Sequence, residues 1–345
     1  MPEYSVALIG CGHRSRPHIT PYREIDEAEV VACCAPSPTH REVLASEFDL
    51  NSYSDAREMI ETEEPDLVHI ITPPRVRVGV MDLVSELGVP ACTVEKPIAI
   101  GVKDWRALCE LEARSQTRFA VCHQLRWERD LTRCRETLQS GELGRVELLD
   151  FTAGMNISGQ GTHILHYAMS LNGDSPVEKV FGSVTGPCEL DQRHPAPAGS
   201  QACVRFENGV RGIWVNGSMA PRCGDPDVIH EHVRASARTQ KGAVHWEEFG
   251  RWQIVSPEGA RGESFQGHDV WEEKNHEAQT GFHRQMLRWT EDDAAEAGTN
   301  LKQSLHEWKA VLALYASALE RRPVELADFD PEPGLLKEVS AAVNG

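Results

Sequence analysis

The chain has 345 residues, 40% of them hydrophobic and 26% charged, with a formal net charge of −18. That length suits two domains better than one core, and the acidic balance argues against nucleic acid as a partner, because phosphate binding needs clustered Lys and Arg. No apolar run approaches ~20 residues and no basic-plus-apolar leader is present, so no membrane span and no signal peptide are expected, and the expected compartment is the cytoplasm.

In chain order, "YSVALI" (4–9) reads as a strand running into "GCGHRSRPH" (10–18). Gly10, Cys11, Gly12, His13, Arg14 and Ser15 thereby form a strand, glycine turn and helix start, the phosphate-binding corner of a doubly wound fold. Ser15 stands where a third glycine is usual. A second strand falls at "AEVVACCAP" (28–36) and a third at "PDLVHIITPP" (65–74). "VMDLVSELGVPACTVEKP" (80–97) adds a helix ending at Gly88 and a fourth strand; helix "DWRALCELEARS" (104–115) and strand "TRFAVCHQLRW" (117–127) follow. Strand and helix alternating at this spacing predict a parallel sheet, in a first domain spanning residues 1–122.

The pattern then changes. "GSQACVRFENGVRGIWVNGS" (199–218) alternates around Asn208-Gly209, a two-residue hairpin signal, and "KGAVHWEEFGRWQIVSPEG" (241–259) reads as a second antiparallel pair. Residues 123–345 are therefore expected to form an α+β domain with a large, open, mostly antiparallel sheet; its C-terminal helices are candidates to pack back on the first domain. The proline-rich 186–200 reads as a loop. Asn300 caps a helix whose Leu301, Leu305, Trp308, Val311, Leu312, Tyr315 and Leu319 repeat at packing spacing. Ten cysteines contain no C-x-x-C pair, which favours buried reduced thiols.

Lysine is scarce: eight against twenty-seven arginines. One of the eight, Lys96, lies in "VEKPIA", and with "ALIGCGHRSRPH", "IITPP", "HQLRW" and "GTHILHYAMSLNG" this resembles the glucose–fructose oxidoreductase / inositol dehydrogenase (Gfo/Idh/MocA) family. The resemblance implies a Rossmann domain, a C-terminal sheet that builds homodimers or homotetramers, and NAD(P) as cofactor. It implies that Lys96 exchanges the proton of a substrate hydroxyl while hydride moves to or from nicotinamide, that Glu95 fixes the loop, and that a cis Pro97 aims the lysine. His163 takes the place of the histidine in the family's D-x-x-x-H motif, but the aspartate position is Gly159. By the same resemblance Gln124, Thr72, Pro73 and Arg77 fall near the cofactor. Arg126, Gln160, His166 and Trp127 fall near the substrate, with ion pairing the competing role for Arg126 and core packing for Trp127 and Trp214. His163 and His166 also make a His-x-x-His pair, but no third ligand sits at a fixed spacing, so no metal is expected.

Ala35 replaces the acidic residue that ends the second strand in NAD-preferring members; Ser37, Thr39, His40 and Arg41 follow it and could bind a phosphate, which tilts the expectation toward NADP. The implied function is oxidation or reduction of a secondary hydroxyl or ketone on a sugar, sugar derivative or cyclitol, with no membrane partner. Two other readings stay open: a glycosidase that recycles a tightly bound nicotinamide through oxidation and elimination, and a catalytically inactive nucleotide-binding sensor or scaffold.

Overall fold

The computed structural model describes residues 2–223, 225, 227–265 and 268–345. The chain forms two compact units: Met1–Ala99, Arg106–Trp127 and Asn275–Ser304 in one, Ile100–Trp105, Glu128–Lys274 and Leu305–Gly345 in the other. This differs from a single cut at residue 122, because Asn275–Ser304 belongs with the first unit.

Among the described residues the first unit holds a six-stranded sheet of β1 (Tyr4–Ile9), β2 (Ala28–Cys34), β3 (Asn51–Tyr53), β4 (Leu67–Ile70), β5 (Ala91–Val94) and β6 (Arg118–Val121). Its order is β3-β2-β1-β4-β5-β6 and every pairing is parallel. β4 and β5 are buried along their whole length, as expected for strands covered on both faces. The order reverses between β1 and β4, the switch point where such sheets leave a crevice beyond their carboxyl ends. Gly10 and Lys96 both follow strands that end there.

The second unit is built on a nine-stranded sheet: β7 (Val146–Ala153), β8 (Val177–Cys188), β9 (Pro197–Phe206), β10 (Arg211–Gly217), β11 (Val233–Thr239), β12 (Ala243–Glu247), β13 (Arg251–Ser256), β14 (Gly259–Ser264) and β15 (Val324–Glu325). All its pairings are antiparallel except β7 with β10. The hairpin at Asn208-Gly209 joins β9 and β10, with Gly209 at φ +86°. The expected loop at 186–200 is shorter than the proline content suggests: β8 runs to Cys188 and β9 begins at Pro197. The helix Thr162–Leu171 packs on β7 and β11. The packing stripe on the helix Leu301–Glu320 is buried from Leu301 to Tyr315, and Asn300 Oδ1 accepts from the Gln303 N–H at 2.8 Å. None of the ten cysteines forms a disulfide; seven are buried as expected, but Cys109 and Cys223 are half-buried and Cys203 is exposed. Among the described residues no helix is long and apolar enough to cross a membrane.

Candidate active site

Gly10 sits at φ +113°, and a Cβ there would lie 2.4 Å from the Ile71 carbonyl oxygen. Glycine is required at this point by the fold itself. Gly12 is different: a Cβ would meet nothing within 4 Å, so protein packing does not demand it, whereas close approach of a ligand to the backbone would. Ser15 is fully buried and its hydroxyl donates to the Gly10 carbonyl at 2.8 Å. A small polar residue thus does the packing of the third glycine and braces the turn as well. The chain offers a corner that fits a dinucleotide pyrophosphate.

At the end of β2, Ala35 is buried and its N–H donates to Tyr53 O at 3.2 Å. Arg41 reaches back over this turn, donating to Ala35 O at 3.4 Å and Pro36 O at 3.3 Å. His40 is exposed and Ser37 precedes the helix Pro38–Phe48 without a side-chain cap bond.

Lys96 follows β5 and is half-buried, and the Lys96–Pro97 bond is cis. Its neighbours hold the loop firmly. Glu95 is buried and accepts from the Arg14 guanidinium at 3.3 Å and from His18 Nε2 at 3.2 Å. Burial would push this carboxyl up, but the charge of Arg14, the His18 hydrogen bond and the charge of Lys96 together outweigh it and hold Glu95 well below the usual range. Arg77, expected beside the cofactor, is only 2% exposed. Its guanidinium donates to Pro97 O, to Thr72 O at 2.8 Å and to Lys96 O at 3.3 Å. It braces the Thr72-Pro73 turn against the Lys96 loop, which is a positioning role. Gln124 is likewise committed within the protein, its amide donating to Asn275 Oδ1 at 2.9 Å.

Of the expected substrate contacts in the first unit, Trp127 packs against Phe282, with centroids 5.0 Å apart, at the edge of a hydrophobic cluster. The Arg126 guanidinium lies against Gly298, whose Cβ would come within 2.6 Å of it. For Trp127 this is a packing role. The neighbouring His123 is 1% exposed; burial chiefly, then the charge of Lys96, pushes its imidazole down to about 3. Kept neutral in the fold, it loses to the unfolded chain, which takes up a proton below about pH 6.5. Its contribution is full above that pH and is lost as pH falls toward 3. Urea melts from pH 7.5 to 5 are expected to lose about 1.4 kcal/mol per pH unit below 6.5 for such a group; a flat profile would contradict this.

In the second unit β7 ends at Ala153 and a π-helical turn, Ile157–Gly161, leads into the helix Thr162–Leu171. Asn156 Oδ1 accepts the Gly159 N–H at 2.9 Å, and its amide donates to His194 O at 3.0 Å. A Cβ at Gly159 would lie 3.0 Å from the Met155 methyl and 3.3 Å from Asn156 Oδ1. A side chain there would therefore need Met155 or Asn156 to shift by a few tenths of an ångström. Gln160 is spent on backbone: Oε1 accepts from Met155 N at 3.2 Å and Nε2 donates to His230 O at 2.9 Å. From Gly161 to Ser170 every residue is buried except His163. Its Nδ1 lies 3.2 Å from the Tyr167 hydroxyl, with the rings stacked.

His166, expected to touch substrate, is instead fully buried and bonded through Nδ1 to Glu307 Oε1 at 2.7 Å. Glu307 was missed by reasoning from sequence. Its signal was a lone carboxylate inside the apolar stripe of the helix Leu301–Glu320, beside Trp308. Trp214 is also core, stacked on Phe151.

Residues 4–123 match the oxidoreductase family with an NAD-binding Rossmann fold, Gfo/Idh/MocA. A D-apiose dehydrogenase of Paraburkholderia graminis is 27% identical, over 99% of this chain and 95% of that protein. Among solved structures, an oxidoreductase from Agrobacterium radiobacter in complex with NAD+, L-tartaric acid and magnesium superposes with a TM-score of 0.78 at 18% identity, covering 94% of this chain and 99% of that one. A putative myo-inositol dehydrogenase from Sinorhizobium meliloti gives 0.74 at 20% identity, with 94% and 99% coverage. With the glycine corner and the E-K-P loop in place, residues 4–123 form an NAD-binding Rossmann domain of the Gfo/Idh/MocA oxidoreductase family, and the chain along its length is similar to a D-apiose dehydrogenase.

Proposed function

We propose that the protein transfers a hydride between NAD(P) and a secondary hydroxyl or ketone of a sugar, sugar derivative or cyclitol, with Lys96 as the proton acceptor or donor and His163 assisting. The observation that carries the reading is the Lys96 loop. The loop that carries the half-buried Lys96 is held at the carboxyl end of β5 by an ionised Glu95 bonded to Arg14 and by Arg77 on three carbonyls. Bound NAD(P)+ supplies the hydride acceptor. An amine of ordinary pKa near ~10.4 is a poor base at neutral pH, and a cationic ring beside it disfavours the ammonium, bringing the amine toward its task. His163, the accessible residue of its helix segment, has a reference pKa suited to sharing that proton. Substrate class follows the names of relatives that act on apiose or inositol.

The test is reduced-nicotinamide absorbance with NAD+ or NADP+ and a panel of pentoses, hexoses, aldonates and cyclitols. Steady reduction with at least one of them is expected. Glycoside cleavage with no net reduction would instead favour a recycled cofactor, and binding without any turnover would favour a sensor.

The nucleotide preference is the finer part of the proposal. Arg41 over the Ala35–Pro36 turn, with no acid at Ala35, favours the 2′-phosphate of NADP. Ala35→Asp is expected to weaken NADPH roughly tenfold or more while sparing NADH, by like-charge repulsion. An NADPH affinity unchanged from wild type in the variant would count against an NADP site. The expected oligomer is supported by Phe181, Cys203 and Ile213, which are register partners across β8, β9 and β10 and form an exposed row on the sheet.

A further inference from the structure

Three buried histidines in the first unit do not themselves act in the proposed reaction, although one of them, His18, braces Glu95. His18 comes from the helix Ser15–Ile19, His69 from β4 and His283 from the helix His268–Glu291, and all three are 1% exposed or less. Their ring centroids lie 4.5, 5.2 and 5.5 Å apart. One donor nitrogen from each ring falls within 4.8 Å of the other two.

His18 Nε2 is spent on Glu95 at 3.2 Å, so its proton sits on Nε2 and Nδ1 keeps a lone pair. That Nδ1 has no hydrogen-bond partner. His283 Nε2 pairs with the Gln279 amide at 2.8 Å, and its Nδ1 is also without a hydrogen-bond partner. Turning the Gln279 amide so that its oxygen accepts from Nε2–H leaves the lone pair on Nδ1 there as well. His69 is held at both ends, by Tyr22 at 2.8 Å through Nε2 and by Thr93 through Nδ1. A buried nitrogen without a partner is costly, and two of them facing a third imidazole call for an occupant.

We propose that His18, His69 and His283 form a buried site for one late first-row divalent cation, zinc being the reference case. Three neutral imidazoles suit such ions. Glu95 behind His18 and Gln279 behind His283 are the outer groups that fix tautomer and ring direction in histidine metal sites. Bonds of ~2.0–2.1 Å require the donor nitrogens to close to about 3.3 Å, a rotation of the rings in which His69 Nε2 exchanges its Tyr22 hydrogen bond for the metal. The competing set His18, Glu95 and Cys122 is less suitable, because Glu95 already carries Arg14. The cation's role is structural. It ties the segment after the glycine corner to β4 and to the returning helix, and through Glu95 it reaches the Lys96 loop.

The test uses tag-free full-length protein stripped with a chelator and then titrated with Zn2+ or Co2+. About one equivalent is expected to survive desalting by elemental analysis, Tm is expected to rise with free Zn2+, and Co2+ is expected to give visible ligand-field bands. His283→Leu, which fills the space with apolar volume, is expected to fold and to lose the metal. If that variant does not fold, the Co2+ spectrum of the wild type decides: bands support the site and their absence overturns it. A folded wild type that retains no metal and whose Tm is indifferent to Zn2+ and chelator overturns the proposal, as does undiminished metal in folded His283→Leu. Nucleotide binding does not enter the readout, so this result stands apart from the dehydrogenase reading.

Discussion

Lys96→Ala is expected to lower kcat by roughly 10²–10⁴-fold, the range associated with loss of a positioned general acid or base. The same variant is expected to bind NAD(P)H within a few-fold of wild type, because the corner proposed to meet the pyrophosphate, Gly10, Gly12 and Ser15, is built on another segment. The loop is expected to survive the change. Its geometry is fixed by Arg77 on the carbonyls of Thr72, Lys96 and Pro97 and by Glu95 on Arg14 and His18, none of which involves the lysine side chain. Steady-state kinetics with a fluorescence titration of reduced nucleotide separate the two effects. Unchanged turnover would remove Lys96 from the mechanism, and loss of both turnover and nucleotide would mean that the residue acts on the fold.

The second large effect contrasts two neighbouring glycines. Gly10→Ala places a Cβ 2.4 Å from a backbone oxygen at φ +113°, where nothing flexible can yield. It is expected to cost roughly 2–5 kcal/mol and to abolish nucleotide binding. Gly12→Ala meets nothing within 4 Å and is expected to change stability by no more than about 0.5 kcal/mol. Its nucleotide affinity is nevertheless expected to fall at least about tenfold, because the methyl group would occupy the space of the pyrophosphate. Urea melts and nucleotide titrations of both variants check this. Wild-type affinity in Gly12→Ala would remove the phosphate-cradle role from the corner.

The parallel sheet was legible because β1, β2, β4, β5 and β6 are short apolar runs separated by helical patterns, which is how strands buried on both faces must read. β3 was not legible: "NSY" is polar and partly exposed and pairs only at the sheet edge. The return of Asn275–Ser304 to the first unit was equally hidden, since no composition shift marks residues 274 and 275. Site positions could be read from motif spacing, but side-chain direction could not. Gln124, Gln160 and Arg77 occupy motif positions yet spend their donors on Asn275, His230 and the Lys96 loop, all partners fixed by tertiary packing. Glu307 and His166 are 141 residues apart in sequence, a separation that no local pattern encodes. Gly159 was readable as a departure from the family, while its tight surroundings, Met155 and Asn156, came only with the turn.

Isotope transfer reports on hydride movement itself. NADPH or NADH carrying deuterium at the transferable C4 position would be mixed with the wild type and with Lys96→Ala, using keto-sugars and keto-cyclitols as acceptors. In the wild type, deuterium is expected on the carbon that becomes the secondary alcohol, one atom for each nucleotide oxidised, with transfer suppressed in the variant. Deuterium that stays on a bound nucleotide with every acceptor would contradict net hydride transfer by this protein.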